Sequence, residues 1–257
     1  MKETKNVVCI KFGKDVYPPK YVNNLYHMVL RNTTYPINFY CFTEDPEGLE
    51  DGIIVKLLPI FSFGKSKYAY LKEAGLCDDN IGDLNGQRVL YFDLDVIIVD
   101  NIDGFFEIPK NDEFYIINDW NSFGNKVGQA SCYSWVVGTL GFVKNYFEEH
   151  YEEIYKKFYT ASQEYLSSKV IEKYGKLNFW PNSWSRSFRF HCLPTPIVPF
   201  LRRFKMAKIP KNAKIICFHG RPKLDDALVG KWKEEKMWKR FFYKHLKPVK
   251  WVDDYWK

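Results

Sequence analysis

No apolar stretch in the sequence approaches the roughly 20 residues that a membrane-spanning helix needs. The chain also lacks low-complexity tracts and internal repeats, and 46% of its residues are hydrophobic against 27% charged. That balance is typical of a folded globular protein. We therefore expect one domain over residues 1–257, in which residues 224–257 form a basic, aromatic C-terminal helical extension.

Cysteine pairs are also missing. The six cysteines lie far apart, and no Cys-x-x-Cys or His-x-x-x-His spacing occurs. This pattern argues against a disulfide framework or a zinc site. The first residues lead directly into a strand-like stretch, so we expect no signal peptide and a cytoplasmic protein.

Positive charge is concentrated in one part of the chain. Residues 201–257 hold 17 Lys and Arg against 6 Asp and Glu, although the whole chain carries a net charge of only +7. Such a segment favours anionic partners, or it is a solvated basic face. The tryptophans and phenylalanines that alternate with lysines after residue 231 predict an amphipathic helix over 231–245. It either packs on the core or docks peripherally on an anionic membrane.

Short apolar runs alternate with helical patterns, which predicts an α/β fold with a mostly parallel central sheet flanked by helices. We expect helices over 19–30 and 145–173. The predicted strands are 7–12, 37–42, 53–58, 88–92, 96–99, 113–117, 135–137 and 215–218.

The strongest predicted strand, Arg88–Phe92, runs directly into Asp93-Leu94-Asp95. This places two carboxylates at the carboxyl end of a buried strand, where open α/β sheets bind ligands. Paired carboxylates are suitable ligands for Mg²⁺ or Mn²⁺, which in turn hold a diphosphate. An acidic pair at a strand end can instead cap the next turn, but the apolar residues on both sides favour a functional site.

A second polar cluster follows the last clear strand. His219 is a possible nitrogen ligand for Mn²⁺, and Gly220 lets the backbone approach a phosphate closely. Arg221 and Lys223 can neutralise phosphate oxygens. A lone histidine after a strand is often structural, so this interpretation depends on the cluster as a whole.

The stretches 91–102 (Tyr-Phe-Asp-Leu-Asp-Val-Ile-Ile-Val-Asp-Asn-Ile) and 218–223 (Phe-His-Gly-Arg-Pro-Lys) resemble GT-A glycosyltransferases of the glycogenin and lipooligosaccharide-galactosyltransferase type. The resemblance implies a nucleotide-sugar donor, most simply a UDP-sugar, with Mn²⁺ or Mg²⁺ as cofactor. It places the metal on Asp93, Asp95 and His219 and the donor phosphate on Lys223. A glycan or lipid-linked acceptor and a retaining reaction are further implications.

The resemblance also indicates residues between these motifs. It implicates Lys11, Phe12 and Tyr17 at the nucleobase, although a strand end with a buried ring explains them equally well. A basic residue ahead of the acidic motif reaches the donor phosphates in such enzymes. Lys67 is the best candidate here, followed by Lys65, although lysines in such a loop are commonly solvated.

Some positions depart from that pattern. The segment that faces the sugar is Gln129–Ser134 here, so Ser131 and Ser134 are doubtful sugar contacts. The family's Asp-Gln pair beside the reacting sugar is replaced by Ser162-Gln163, which keeps Gln163 as a catalytic candidate but removes a carboxylate. Asp119 either faces the substrates or caps a loop.

Two other classes of function compete. Asp93-Leu94-Asp95-Val96 also fits a haloacid-dehalogenase-like phosphatase with Asp93 as nucleophile and Asp225-Asp226 as the late acidic pair. Three predicted strands precede the one that leads into Asp93, whereas that class normally carries the motif after its first strand, which argues against it. A basic nucleic-acid-binding module would leave the acidic strand end unexplained, and no binding motif supports it.

Overall fold

The computed structural model describes residues 2–13, 17–64, 68–121, 126–194, 205–232 and 245–257. This described chain separates into two compact units. Unit 1 comprises 1–22, 34–94 and 103–180, and unit 2 comprises 23–33, 95–102 and 181–257. Whether they act as the single domain expected from the sequence stays a prediction.

Unit 1 contains a central sheet of seven described strands. The strands are β1 (Lys5–Lys11), β2 (Ile37–Thr43), β3 (Ile53–Lys56), β4 (Arg88–Phe92), β6 (Tyr115–Asn118), β7 (Gly128–Val136) and β8 (Asn178–Phe179). Their order across the sheet is β3-β2-β1-β4-β7-β6-β8. Only β7 runs antiparallel to its neighbours, so the predicted mostly parallel, Rossmann-like α/β sheet is confirmed.

Helices cover one face of this sheet because alternate strand residues and one stripe of each helix are apolar. Val8 and Ile10 of β1 belong to the same buried cluster as Phe147 and Leu166. The helices of unit 1 are α2 (Tyr68–Glu73), α3 (Asp103–Glu107), α4 (Gly141–Glu149), α5 (Tyr151–Phe158) and α6 (Ser162–Tyr174), with short 3₁₀ turns at Gly75–Cys77 and Ile81–Asp83. Helix α1 (Pro19–Arg31) runs from unit 1 into unit 2.

Unit 2 contains a smaller sheet with the order β5-β10-β9. Its strands are β5 (Val96–Ile98), β9 (Ser185–Ser187) and β10 (Ile215–Cys217). β10 pairs antiparallel with β5 and parallel with β9. A π-helical turn (Phe188–Cys192) and helices α7 (Leu224–Val229) and α8 (Lys250–Tyr255) complete the described part of this unit.

Two sequence predictions need correction. The single helix expected over 145–173 is three helices. His150, with non-helical φ and ψ of −125° and 29°, separates α4 from α5, and α5 ends at Phe158 because Tyr159 has a positive φ of 49°. The strand expected at 135–137 is the end of the nine-residue β7. Most of the helix expected over 231–245 lies outside the described residues.

All six cysteines are buried, and no disulfide joins them in the described residues. No helix in the described ranges is long and apolar enough to cross a membrane.

Candidate active site

Asp93 directly follows β4, at the edge where the parallel strands of unit 1 end. Its carboxylate accepts hydrogen bonds from the Lys72 ammonium, with Nζ at 3.0 Å from Oδ1 and 3.1 Å from Oδ2. The Tyr91 hydroxyl donates to Oδ1 at 2.6 Å. Both partners of the ion pair are largely buried, with 15% of each side chain exposed. The pair is therefore held in place and only partly screened by solvent.

Glu73, next to Lys72 at the end of α2, is a second carboxylate at this site. It is 2% exposed. The Ser162 hydroxyl donates to its Oε2 at 3.0 Å, and the Lys72 Nζ lies 3.5 Å from its Oε1. Burial raises the pKa of Glu73 to about 7, opposed by Lys72 and reinforced by the Asp93 carboxylate.

The beginning of β7 completes this edge of unit 1. The backbone N–H of Asp93 donates to the carbonyl of Ser131 at 2.9 Å. Ser131 is itself fixed by Gln129, whose side chain donates to the hydroxyl and accepts from the backbone N–H. Gln163 Oε1 accepts from the Ala130 N–H at 3.4 Å. Gln163 on α6 is thus tied to the strand beside Asp93.

A cavity of about 430 Å³ lies in unit 1 beyond the end of β1. Its walls are mainly apolar, and Glu44 adds one carboxylate, which accepts from the Gly13 N–H at 2.8 Å. The cavity is lined by Phe12, Glu44, Leu58, Pro59, Ile60, Gly64 and Leu71. From β1 the chain continues to β2 and β3 on one side of β1, and it then returns to place β4 on the other side. The order of the strands therefore reverses between β1 and β4, and their ends mark a topological switch point. The predicted base-facing residue Phe12 and Asp93 each follow one of these two strands.

The other predicted donor residues of this unit differ in their placement. Lys11 is completely buried, and its ammonium contacts Asp45 Oδ2 at 3.1 Å. The Tyr17 ring packs edge-on against Tyr21, with centroids 5.1 Å apart. Lys67 and Lys65 lie outside the described residues. The roles of all four stay predictions.

In unit 2 the folding of the chain brings the second carboxylate to the late motif. Asp95 is 7% exposed, and its Oδ2 lies 3.2 Å from the Lys223 Nζ. The Phe218 N–H also donates to the Asp95 carbonyl at 3.0 Å. The antiparallel pairing of β5 with β10 causes this approach of residues 128 positions apart.

His219 follows β10 in the same unit. Its Nε2 lies 2.7 Å from the Ser187 hydroxyl. Burial lowers the pKa of His219 to about 4, helped by Arg189, His191 and Lys223, so the ring is neutral at neutral pH. Gly220 has φ of 72° with open space at its Cβ position, a conformation that favours glycine.

The described residues contain no group of three or more His, Cys, Asp or Glu side chains that could hold a metal ion. The donor types nevertheless suit a divalent cation, because carboxylate oxygens and an imidazole nitrogen are ligands that Mn²⁺ accepts. In the structure Asp93 and Asp95 are each neutralised by a lysine instead.

The remaining candidates make internal contacts. Ser134 is buried and accepts from Arg88 at 3.2 Å. Asp119 accepts from the Asn121 N–H at 3.3 Å, which matches the loop-capping alternative. Asp226 accepts from the Lys223 N–H and from the Arg221 guanidinium, each at 3.0 Å. The late acidic residue of the phosphatase interpretation therefore caps α7.

Sequence reasoning missed Lys72 and Glu73. It sought the basic residue in the loop before α2, whereas the lysine that contacts Asp93 lies on α2 itself. The helical stretch Tyr68–Glu73 is only six residues long, too short for its apolar pattern to reveal which residue points to the site. The three-dimensional contacts of Lys72 with Asp93 and of Glu73 with Ser162 on α6 identify both residues.

No protein-family model matches the chain, and no curated protein matches its sequence. Solved structures do match. The galactosyltransferase LgtC in complex with donor and acceptor sugar analogs is similar at a TM-score of 0.55 and 13% identity, over 85% of this chain and 88% of LgtC. An active-site glutamine-to-glutamate mutant of LgtC is similar at a TM-score of 0.52 and 12% identity. That match covers 92% of this chain and 99% of the mutant.

The apo form of the glycosyltransferase GlyE from Streptococcus pneumoniae TIGR4 is similar at a TM-score of 0.56 and 12% identity. The match covers 86% of this chain and 56% of GlyE, so the chain spans little more than half of that protein. The chain therefore has the GT-A fold of LgtC-type glycosyltransferases, and the resemblance inferred from its two motifs is confirmed at the level of the fold.

Proposed function

We propose that this protein is a glycosyltransferase that moves a sugar from a nucleotide-sugar donor to a glycan or lipid-linked acceptor. The observation that carries the proposal is the largely buried Asp93–Lys72 pair directly after β4, at the switch point of a GT-A sheet. Open α/β sheets bind ligands at such points. A phosphatase with Asp93 as nucleophile and a nucleic-acid-binding module have no comparable support.

The donor in this proposal is a UDP-sugar. The cavity that Phe12 lines is large enough for a nucleobase, and its apolar walls suit the faces of a flat ring. Lys72 carries positive charge for the diphosphate. The resemblance assigns the same role to Lys223, and Gly220 lets the backbone approach a phosphate. Uracil is preferred on the resemblance to LgtC-type enzymes.

The proposed cofactor is Mn²⁺ or Mg²⁺, held by Asp93, Asp95 and His219. A divalent ion supplies charge that stabilises the departing nucleoside diphosphate. In this proposal Lys72, which pairs with Asp93, contacts a phosphate oxygen of the donor. The resemblance assigns a phosphate contact to Lys223, which pairs with Asp95. Gln163, held against β7 by its contact with the Ala130 N–H, faces the sugar in this proposal.

The proposed acceptor and the proposed stereochemistry of the transfer rest on the resemblance to LgtC-type enzymes. LgtC was crystallised with donor and acceptor sugar analogs, and we extend a sugar acceptor and a retaining reaction to this chain. Peripheral contact with a membrane through the basic C-terminal segment also stays a proposal. A liposome-pelleting assay tests it, and an unchanged result after removal of residues 231–257 from a protein that stays folded would exclude it.

Calorimetric titration of UDP and GDP, with and without Mn²⁺, tests the proposed function. We expect metal-dependent UDP binding that is lost in the Asp93→Ala/Asp95→Ala variant. An Asp78→Ala variant is the matched control, because Asp78 also forms a lysine ion pair, with Lys144, outside the site. Folded wild-type protein that binds neither nucleotide would overturn the proposal.

A further inference from the structure

The side chain of Glu73 has no assigned role in the proposed reaction, although it is the most deeply buried carboxylate of this site. Its two oxygens face different partners: Oε1 lies 3.5 Å from the Lys72 Nζ, and Oε2 accepts from the Ser162 hydroxyl at 3.0 Å. Lys72 comes from α2 and Ser162 from the first turn of α6. One carboxylate thus joins the lysine at Asp93 to the helix that carries Gln163.

Lys72 lies between two carboxylates, and their distances are unequal. Its ammonium is 3.0 and 3.1 Å from the oxygens of Asp93 but 3.5 Å from Glu73. A ligand that engages both oxygens of Asp93 would displace the ammonium from that carboxylate. A largely buried ammonium without a counter-charge is unfavourable, and Glu73 already lies within reach.

The backbone around this pair is also fixed. The Tyr133 hydroxyl donates to the Lys72 carbonyl at 2.6 Å, and the Cys77 thiol contacts the Glu73 carbonyl at 3.1 Å. With both carbonyls anchored in this way, the direction of the Lys72 side chain depends on which carboxylate holds its ammonium.

We propose that Glu73 is a positioning residue for the donor site: its carboxylate takes over the Lys72 ammonium from Asp93 and directs it to the donor diphosphate, while Ser162 fixes the carboxylate. This role rests on the proposed function. Glu73 does not touch the substrate itself, because it is 2% exposed.

The test is UDP affinity in the presence of Mn²⁺, measured by calorimetry on the full chain at about pH 8. Glu73→Gln keeps the volume and an acceptor for Ser162 but removes the charge, so Lys72 stays on Asp93. We expect UDP to bind about tenfold more weakly, as for the loss of one charged hydrogen bond. Glu172→Gln is the control, since Glu172 is an exposed carboxylate on α6 that also pairs with a lysine, Lys169. Its affinity should stay within about twofold of wild type.

Ser162→Ala provides a second variant. It keeps the charge of Glu73 but releases Oε2, so we expect UDP affinity to fall about threefold. In the Glu73→Gln background, Ser162→Ala should not lower UDP affinity further, because the effects of substitutions at two coupled residues are not additive.

The outcomes separate the two proposals. Folded Glu73→Gln protein that binds UDP as tightly as wild type would overturn the positioning role alone. A loss of affinity that only follows a loss of thermal stability would indicate a structural role and would also overturn it. Wild-type protein that binds no UDP would overturn the proposed function and this role with it.

Discussion

At the scale of single residues, Lys72 is the side chain whose role is most directly open to mutation. Lys72→Met keeps much of the aliphatic stem but leaves Asp93 without its cation and the donor without a phosphate contact. We expect UDP affinity to fall about tenfold to a hundredfold. Calorimetry measures this, and Lys144→Met, which breaks the pair with Asp78 elsewhere in unit 1, is the control. Equal losses in both variants would contradict a specific role for Lys72.

The buried carboxyl of Glu73 predicts how stability depends on pH. Its pKa is raised to about 7 by burial. The folded protein therefore binds more protons than the unfolded chain between about pH 4.5 and pH 7, and the free energy of unfolding falls as pH rises through this window. Ionisation of Glu73 lowers the free energy of unfolding by about 3 kcal/mol in total across this window.

Thermal unfolding across this pH range tests the effect. Glu73→Gln has no ionisable group at this position, so its free energy of unfolding should not show this fall between about pH 4.5 and pH 7. At about pH 8 the variant should therefore be at least as stable as wild type, although it binds the donor more weakly. The exposed control Glu172→Gln should keep the wild-type dependence on pH. A Glu73→Gln protein that unfolds earlier than wild type at about pH 8 would contradict the prediction.

Individual site residues differed in how far they were predictable. Asp93 was indicated by an apolar strand that ends in an acidic pair, and Phe12 by the family resemblance, which implicates the end of the first strand. Lys72 and Glu73 were not, because their importance depends on contacts with Asp93 and Ser162, which are 21 and 89 positions away in sequence. Long-range packing is not visible in local patterns.

At the scale of elements, the start of β7 depends on a glycine. A Cβ at Gly128 would lie 2.5 Å from the Ile116 side chain on β6. We expect Gly128→Ala to lower the free energy of unfolding by about 1–3 kcal/mol through overpacking. Gly175→Ala is the control, since a Cβ there meets nothing within 4 Å and only the φ of 78° is unfavourable, at about 1 kcal/mol. Denaturant unfolding compares the two, and a smaller effect at Gly128 would contradict this explanation.

The apolar strands were predicted well because runs of Val, Ile, Leu and Phe are unambiguous in an α/β chain. The beginning of β7 was missed because Gln129–Ser134 contains three polar residues, which are buried because Gln129 and Ser131 bond each other and Ser134 accepts from Arg88. One helix was predicted over 145–173 where the structure has three, because neither glycine nor proline marks the breaks at His150 and Tyr159.

At the scale of the whole molecule, ligand binding should stabilise the fold. If UDP and Mn²⁺ bind only the folded state, ligand at about 100 times its dissociation constant adds about 2.7 kcal/mol. For a chain of this size that raises Tm by roughly 5–10 °C. Thermal shift with UDP and Mn²⁺ measures this, with EDTA as the control that should abolish it. An equal shift with EDTA would contradict metal dependence.

The measurement that tests the central claim most directly is release of nucleoside diphosphate from a panel of UDP- and GDP-sugars in the presence of Mn²⁺. Wild-type protein is compared with Asp93→Asn, which keeps the size of the side chain but removes its charge. We predict release from at least one UDP-sugar by wild type and a loss of at least about a hundredfold in Asp93→Asn. Folded, nucleotide-binding wild-type protein that hydrolyses no donor, or an Asp93→Asn variant as active as wild type, would contradict the account.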